Sequence, residues 1–277
     1  MGNHYIPQYY LKGFSQNDGK QIWVYDKNIG IKFQTQIKST ANISGLYSNE
    51  IEQYLANEIE EPANAVLMKI RNQNQINNED KKILSEYMVT MMKRVPTGKR
   101  RFEELAPSIC KNLFNELDIS LSKIAINSPE KIDLINTRKN EIGGILTKFS
   151  NNFPDEAWFH NIPPMKSPKI VEALKNMVWY FLVVESGFDF LTSDNPFFFF
   201  KSLGIGNPNS EVIFPISNKI ALWATWKERL HSVYYKIDTH TLKKINHLTV
   251  INATRFVFKA NDEYWVKPFV MKRKSIS

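Results

Sequence analysis

The 277-residue chain has a single cysteine, Cys110. An internal disulfide is therefore excluded, and one thiol fits a reducing cytosol. Long apolar runs are also missing. The nearest, MVWYFLVVE at 177–185, is about half of the roughly 18 residues that a membrane span needs. The opening MGNHYIPQYY has neither a basic n-region nor an apolar h-region, so no signal peptide is expected. Ile6 stands where myristoylation of Gly2 would want Ser or Thr. A cytoplasmic protein with no membrane partner is the expectation. Motifs are scarce as well. There is no CxxC, HExxH or EF-hand loop, which removes the recognised zinc and calcium sites. There is no GxSxG and no P-loop, and GIGNPNS at 204–210 lacks the dinucleotide-binding spacing. His231 and His240 are too far apart for a helical metal pair. The next acid after Asp194 is Glu211, followed by Val-Ile, so the PD-(D/E)xK nuclease pattern does not fit. No repeats or heptads occur.

Hydrophobic residues make up 43% and aromatics 13%, enough for a sizeable core. Lys and Arg outnumber Asp and Glu by 36 to 28, a formal charge of +8. That balance favours acidic partners, RNA or DNA first.

The densest stretch is 188–201, FDFLTSDNPFFFFK. Phe188, Phe190 and Leu191 before the polar knot, and Phe197–Phe200 after it, suit strands. Asn195-Pro196 signals a turn. The pattern predicts strand, tight polar turn, strand, with Asp194 and Asn195 at the junction. Such a junction presents polar chemistry on a rigid base, or folds Asp and Asn back on the backbone as Asx-turns.

Ahead of it, Asn17-Asp18-Gly19 predicts a hairpin turn. Residues 21–25 and 31–37 read as strands of a small β-meander. Ser48 caps a helix running to about Gln73, kinked at Pro62. Asn78 caps the next helix, with Met88, Met91 and Met92 on its core face. Helical periodicity returns over 105–126, where Cys110 packs, and over 130–149. Residues 158–168 read as loop, 169–179 as helix, and 180–184, 211–216, 219–226 and 256–259 as strands. A helix over 239–249 carries Asn246. The expected fold is a single α+β domain. Its parts are a β-meander (1–47), a helical subdomain (48–150), a β-rich part (151–265) joined to the meander, and a basic tail (266–277).

Several residues offer chemistry. His4 is a candidate general acid or base, or a histidine bonding a backbone group. Glu52 and Glu60 fall loosely on one side of a regular helix. Arg94 stands at a helix end, placed to hold a phosphate or pair with Asp194. Lys93, Arg94, Lys99, Arg100 and Arg101 form a basic cluster across Pro96-Thr97-Gly98. It reads either as a phosphate-contacting patch or as cations meeting a helix C-terminal dipole. Asp194 with Glu60 would suffice for Mg²⁺, which needs only one or two carboxylates.

At these residues the chain resembles a family. HYIPQYYLKGF, IWVYDK, GLYS, IEQYLANEIEEPA, Arg94-Val95-Pro96, FLTSDNPF and FPISNKIALW are similar to the bacterial domain-of-unknown-function family numbered 4238. The resemblance runs over nearly the whole chain and brings no activity with it. It implies that His4, an acid of the first helix, Arg94 and residues 192–196 belong to one pattern, with Asn246 as a late member. Glu58, Glu60 and Glu61 compete for the acid, and Glu60 is taken.

Two functions remain open, the first preferred because it names a substrate class. One is a nucleic-acid-cleaving hydrolase, an RNase or DNase in a toxin or antiviral-defence role. There His4, Glu60, Asp194 and Asn195 would be catalytic, and Arg94, Lys99, Arg100 and Arg101 would hold the phosphates. The other is a non-catalytic binding or regulatory module with a partner protein or small ligand, in which His4, Arg94 and Asp194 form a structural polar network.

Overall fold

The computed structural model describes residues 2–16, 19–151, 153–185, 187–199 and 203–272. The 17–18 part of the expected hairpin turn, Phe200 and Lys201 of the aromatic stretch, and the tail from 273 lie outside them. The chain divides into two compact units, Met1–Val95 with Pro163–Ser277, and Pro96–Ile162.

The first unit opens with β1 (Gly2–His4) and a short helix α1 (Gln8–Lys12). A hairpin of β2 (Gln21–Asp26) and β3 (Ile31–Gln36) follows, then β4 (Asn42–Ser44), which pairs antiparallel with β1. The hairpin turn is locally determined. Asp26 accepts from the amides of Asn28 and Ile29 at 2.9 and 3.4 Å, an Asx-turn, and Gly30 takes φ 71°. Polar β3 is the sheet edge, which suits its exposed IKFQTQ sequence.

Helix α2 (Asn49–Tyr54) is capped by Ser48, whose hydroxyl accepts from Ile51 N. The chain then runs as a π-helical turn over Leu55–Glu60 and resumes as α3 (Glu61–Arg71). Pro62, expected to interrupt the helix, stands directly after this turn, at the point where the helical ladder changes from π to α. Helix α4 (Asn78–Arg94) starts one residue earlier than the sequence suggests. Asn77 is the cap, because Asp80 at the third position completes a reciprocal capping box with it.

The second unit holds α5 (Pro96–Asn127), α6 (Ile132–Asn151) and α7 (Asp155–Asn161). Ala106 and Cys110 of α5 and Ile135 of α6 are buried, and Lys139 pairs with Asp118 at 2.8 Å. Helix α7 falls where a loop is expected. Pro154 precedes it and Asp155 and Glu156 fill its first turn, which are helix-start features.

Back in the first unit, α8 (Pro168–Asn176) leads into β5 (Val178–Val183). Strands β6 (Thr192–Ser193), β7 (Phe198–Phe199), β8 (Glu211–Pro215), β9 (Ile220–Thr225) and β10 (Tyr234–Lys236) come next. Helix α9 (Thr239–Asn252), β11 (Phe256–Lys259) and α10 (Val266–Met271) complete the unit. Residues 266–271, expected as the start of the basic tail, are helix instead because Val266 and Val270 pack into the core with Tyr25, Leu191 and Val257. One mixed sheet has the order β10-β5-β9-β8-β7, in which β10 runs parallel to β5. The other has the order β3-β2-β11-β6, so the N-terminal hairpin joins the C-terminal strand as expected for this α+β class.

Residues 192–199 therefore differ from the expected hairpin. Thr192 and Ser193, read as turn, are strand, and they pair with β11, while Phe198 and Phe199 pair with β8 of the other sheet. The polar knot is a crossing between sheets. Residues 188–191 are not strand, because other groups take their backbone bonds. Asn246 accepts from Leu191 N and donates to Asp189 O, both at 2.9 Å, and Asn218 O accepts from Phe190 N at 2.8 Å.

Tyr10, fully buried, fastens α1 to both sheets. Its hydroxyl meets Thr192 Oγ1 at 2.7 Å and donates to Pro215 O at 2.8 Å. Tyr10→Phe keeps the ring and strands the Pro215 carbonyl and the Thr192 hydroxyl. An unfolding free energy lower by about 1–2 kcal/mol is expected in urea titration, and an unchanged midpoint would contradict the fastening.

Candidate functional site

Strand β1 brings His4 to the end of α4. The His4 carbonyl accepts from Arg94 Nη2, and Arg94 Nη1 donates to Glu60 Oε1 at 2.6 Å. Arg94 is 1% exposed and Glu60 keeps 22% of its side chain in solvent. Tyr47 closes the other side. Its hydroxyl donates to Arg94 O at 2.7 Å and its ring centroid lies 5.8 Å from the guanidinium carbon. Asn3 accepts from Tyr47 N and donates to Glu52, each at 3.2 Å. Burial alone would lower the Arg94 pKa, but Glu60 and Tyr47 outweigh it, and the group is held above its ordinary value. Burial pushes the Tyr47 phenol up to about 12.

The His4 ring takes no part in that pairing. Its Nε2 lies 3.0 Å from Lys38 O, and a carbonyl can only accept, so this nitrogen carries the proton. Of the three competing acids, Glu58 and Glu61 are exposed, and Glu60 is the one that meets Arg94.

Asp194 and Asn195 belong to a second cluster. Asp194 is 4% exposed. Its Oδ1 accepts from Thr254 N at 2.8 Å, and its Oδ2 from Arg255 N and Phe256 N at 2.8 and 3.0 Å. Its own amide donates to Phe256 O at 3.0 Å. The carboxylate thus clasps the start of β11. Asn195 donates through Nδ2 to Asn252 O at 3.0 Å. Lys27, on the loop after β2, donates to Val250 O and Ala253 O. Tyr5 lies between the clusters: after burial, the charge of Asp194 is the next cause raising its phenol pKa, and Tyr47 also contributes. Among the described residues Asp194 makes no hydrogen bond or ion pair with His4, Glu60 or Arg94. Arg94 pairs with Glu60, not with Asp194.

Burial pushes the Asp194 carboxyl up to about 6, against the pull of the three amides and Lys27. The unfolded chain titrates at the ordinary 3.8. Between these values the folded protein holds a proton that the unfolded chain has released. This group's contribution to stability is therefore full below about pH 4 and is lost as pH rises through 6, by roughly 3 kcal/mol at ~1.4 kcal/mol per unit. Urea unfolding of wild type and Asp194→Asn across pH 4–7 reads this directly. Wild type should lose stability relative to the variant over that window, and a relative gain would contradict the assignment.

The expected phosphate contacts Lys99, Arg100 and Arg101 lie in the second unit. Lys99 pairs with Asp155 at 2.5 Å and lies over Trp158, while Arg100 meets Glu104 at 3.6 Å. Burial lowers the Arg101 pKa. Among the described residues no group of three or more His, Cys, Asp or Glu comes together to hold a metal. Glu60 and Asp194, the carboxylates expected to share Mg²⁺, each have partners of their own.

Sequence reasoning missed Tyr5, Tyr47, Tyr87 and Lys27. Tyr87 is buried beside Glu60 and Arg94, and its hydroxyl and Arg94 Nε have no hydrogen-bond partner among the described residues. Tyr5 and Tyr47 stand in HYIPQYYLKGF and GLYS, the segments that carry the resemblance. The family model described as a protein of unknown function, DUF4238, matches residues 3–263. The chain belongs to this family. The DUF4238 match thus spans both clusters, from Asn3 to the strand that Asp194 clasps. No curated protein and no solved structure matches the chain.

Proposed function

We propose that this DUF4238 protein is a non-catalytic binding or regulatory module whose polar network is scaffold. The observation that carries this reading is the commitment of its chemical groups. Asp194 has three backbone amides on its two oxygens at 4% exposure. Arg94 has Glu60 and the His4 carbonyl on its two terminal nitrogens at 1% exposure. A catalytic carboxylate or phosphate clamp must present a free atom to its substrate. The network instead ties β1 to α4 and residues 192–195 to the start of β11.

Phosphodiester cleavage is the second reading. It draws on the +8 charge and on the Asp194 carboxyl at about 6, in the range of a general base. In that reading His4, Glu60, Asp194 and Asn195 act on RNA or DNA. Labelled RNA and DNA incubated with wild type and Asp194→Ala, with and without Mg²⁺, separate the two. The binding reading expects intact substrate throughout. Cleavage by wild type that a folded Asp194→Ala loses would establish the nuclease.

A further inference from the structure

In the first unit, between Phe188, α9 and the start of α10, lies a cavity of about 240 Å³ that does not include His4, Arg94 or Asp194. Its walls are Phe188, Leu242, Trp265 and Phe269, with Tyr264 at the rim, 92% exposed. The rings of Phe188 and Trp265 meet edge-on at 5.6 Å, as do those of Trp265 and Phe269. The polar lining is small. Asn246 has both ends of its amide engaged, by Leu191 N and Asp189 O. The Trp265 indole N–H is engaged by Glu263, which also bonds Lys259, and fully buried Lys259 bonds Asp189 at 3.0 Å. This chain of charge-assisted bonds fixes the plane of Trp265 and leaves only its ring for a ligand.

Besides the exposed Tyr264 hydroxyl at the rim, the remaining polar group is the Lys243 ammonium, 6.0 Å from the centroid of Phe188. Among the described residues no carboxylate lies within ion-pairing distance of it. Pre-set ring faces beside one uncompensated cation select a flat apolar body with a negative group at its edge. An apolar cavity of ~150 Å³ holds benzene, so this one suits a molecule of one or two rings.

We propose that this cavity binds a small planar aromatic anion, its ring packed against Phe188, Trp265 and Phe269 and its carboxylate or phosphate on Lys243. The proposal rests on the binding reading. Titration calorimetry with indole-3-acetate, the uncharged indole-3-acetamide and adenosine monophosphate tests it. Wild type should bind at least one anion, and indole-3-acetate in preference to the amide if the carboxylate is the natural group. Preference for adenosine monophosphate assigns the phosphate instead. Lys243→Gln, an exposed change, should weaken the bound anion about tenfold. Trp265→Leu should abolish its binding while unfolding stays cooperative. No binding of any probe to folded wild type, or binding that neither substitution alters, would overturn the proposal. The binding reading itself fails on a different readout, nucleic-acid cleavage that depends on Asp194.

Discussion

Asp194→Ala is expected to lower the unfolding free energy by about 2–4 kcal/mol at neutral pH. The truncation leaves the amides of Thr254, Arg255 and Phe256 without their acceptor where β11 begins. A buried donor left unpaired costs ~1–3 kcal/mol, and removing a desolvated charge returns part of the sum. At a few degrees per kcal/mol for a chain of this size, the thermal midpoint should fall by roughly 5–15 °C. The pH dependence sharpens the test. The carboxyl contributes more below its folded pKa of about 6 than above it, so the cost of Asp194→Ala should grow between pH 7 and pH 5. A cost that stays flat or shrinks would mean that the carboxylate is not held as described.

Arg94→Ala is expected to be at least as severe, about 3–5 kcal/mol. The substitution removes the partner of Glu60, the donor to the His4 carbonyl and the cation over Tyr47, and it leaves a void at a position 1% exposed. Arg94→Lys restores the charge but not the fork, since one ammonium does not reproduce two diverging donors, and should recover less than half of the loss. A double-mutant cycle with Glu60→Gln should show coupling of about 1 kcal/mol or more. Denaturant midpoints give all of these values. If Arg94→Ala unfolded like wild type, the guanidinium would be free for a phosphate, and the scaffold reading would lose its main support.

The legible parts of the fold share a physical origin. Strands β2, β3, β8 and β9 could be read because alternation and Asn or Gly turns are local signals. The starts of α2 and α4 were carried by Ser48 and the Asn77–Asp80 region within one residue. Strand β10 was not legible, since its three residues are strand only through parallel pairing with β5. Nor were residues 188–191, whose backbone bonds are made by Asn246 and by Asn218 O.

The candidate site follows the same division. The residue types of His4, Glu60, Arg94 and Asp194 could be picked out, but not their partners. Asp194 bonds amides about sixty residues further along the chain, and no local pattern announces that. The choice among Glu58, Glu60 and Glu61 depends on the π-helical turn over Leu55–Glu60. Such a turn advances less per residue than a regular helix and resets which acid faces inward. In a regular helix Glu52 and Glu60 would share a side. Here Glu52 receives Asn3 and Glu60 receives Arg94.

The central claim is that Asp194 is spent on the backbone of residues 254–256. Native-state hydrogen exchange of the Thr254, Arg255 and Phe256 amides tests it most directly. If the carboxylate clasps them, all three should exchange as slowly as the paired amides of residues 257–259 in β11. Exchange of these three at the rate of an open loop, with residues 257–259 of β11 still protected, would show Asp194 free for chemistry and contradict the scaffold account.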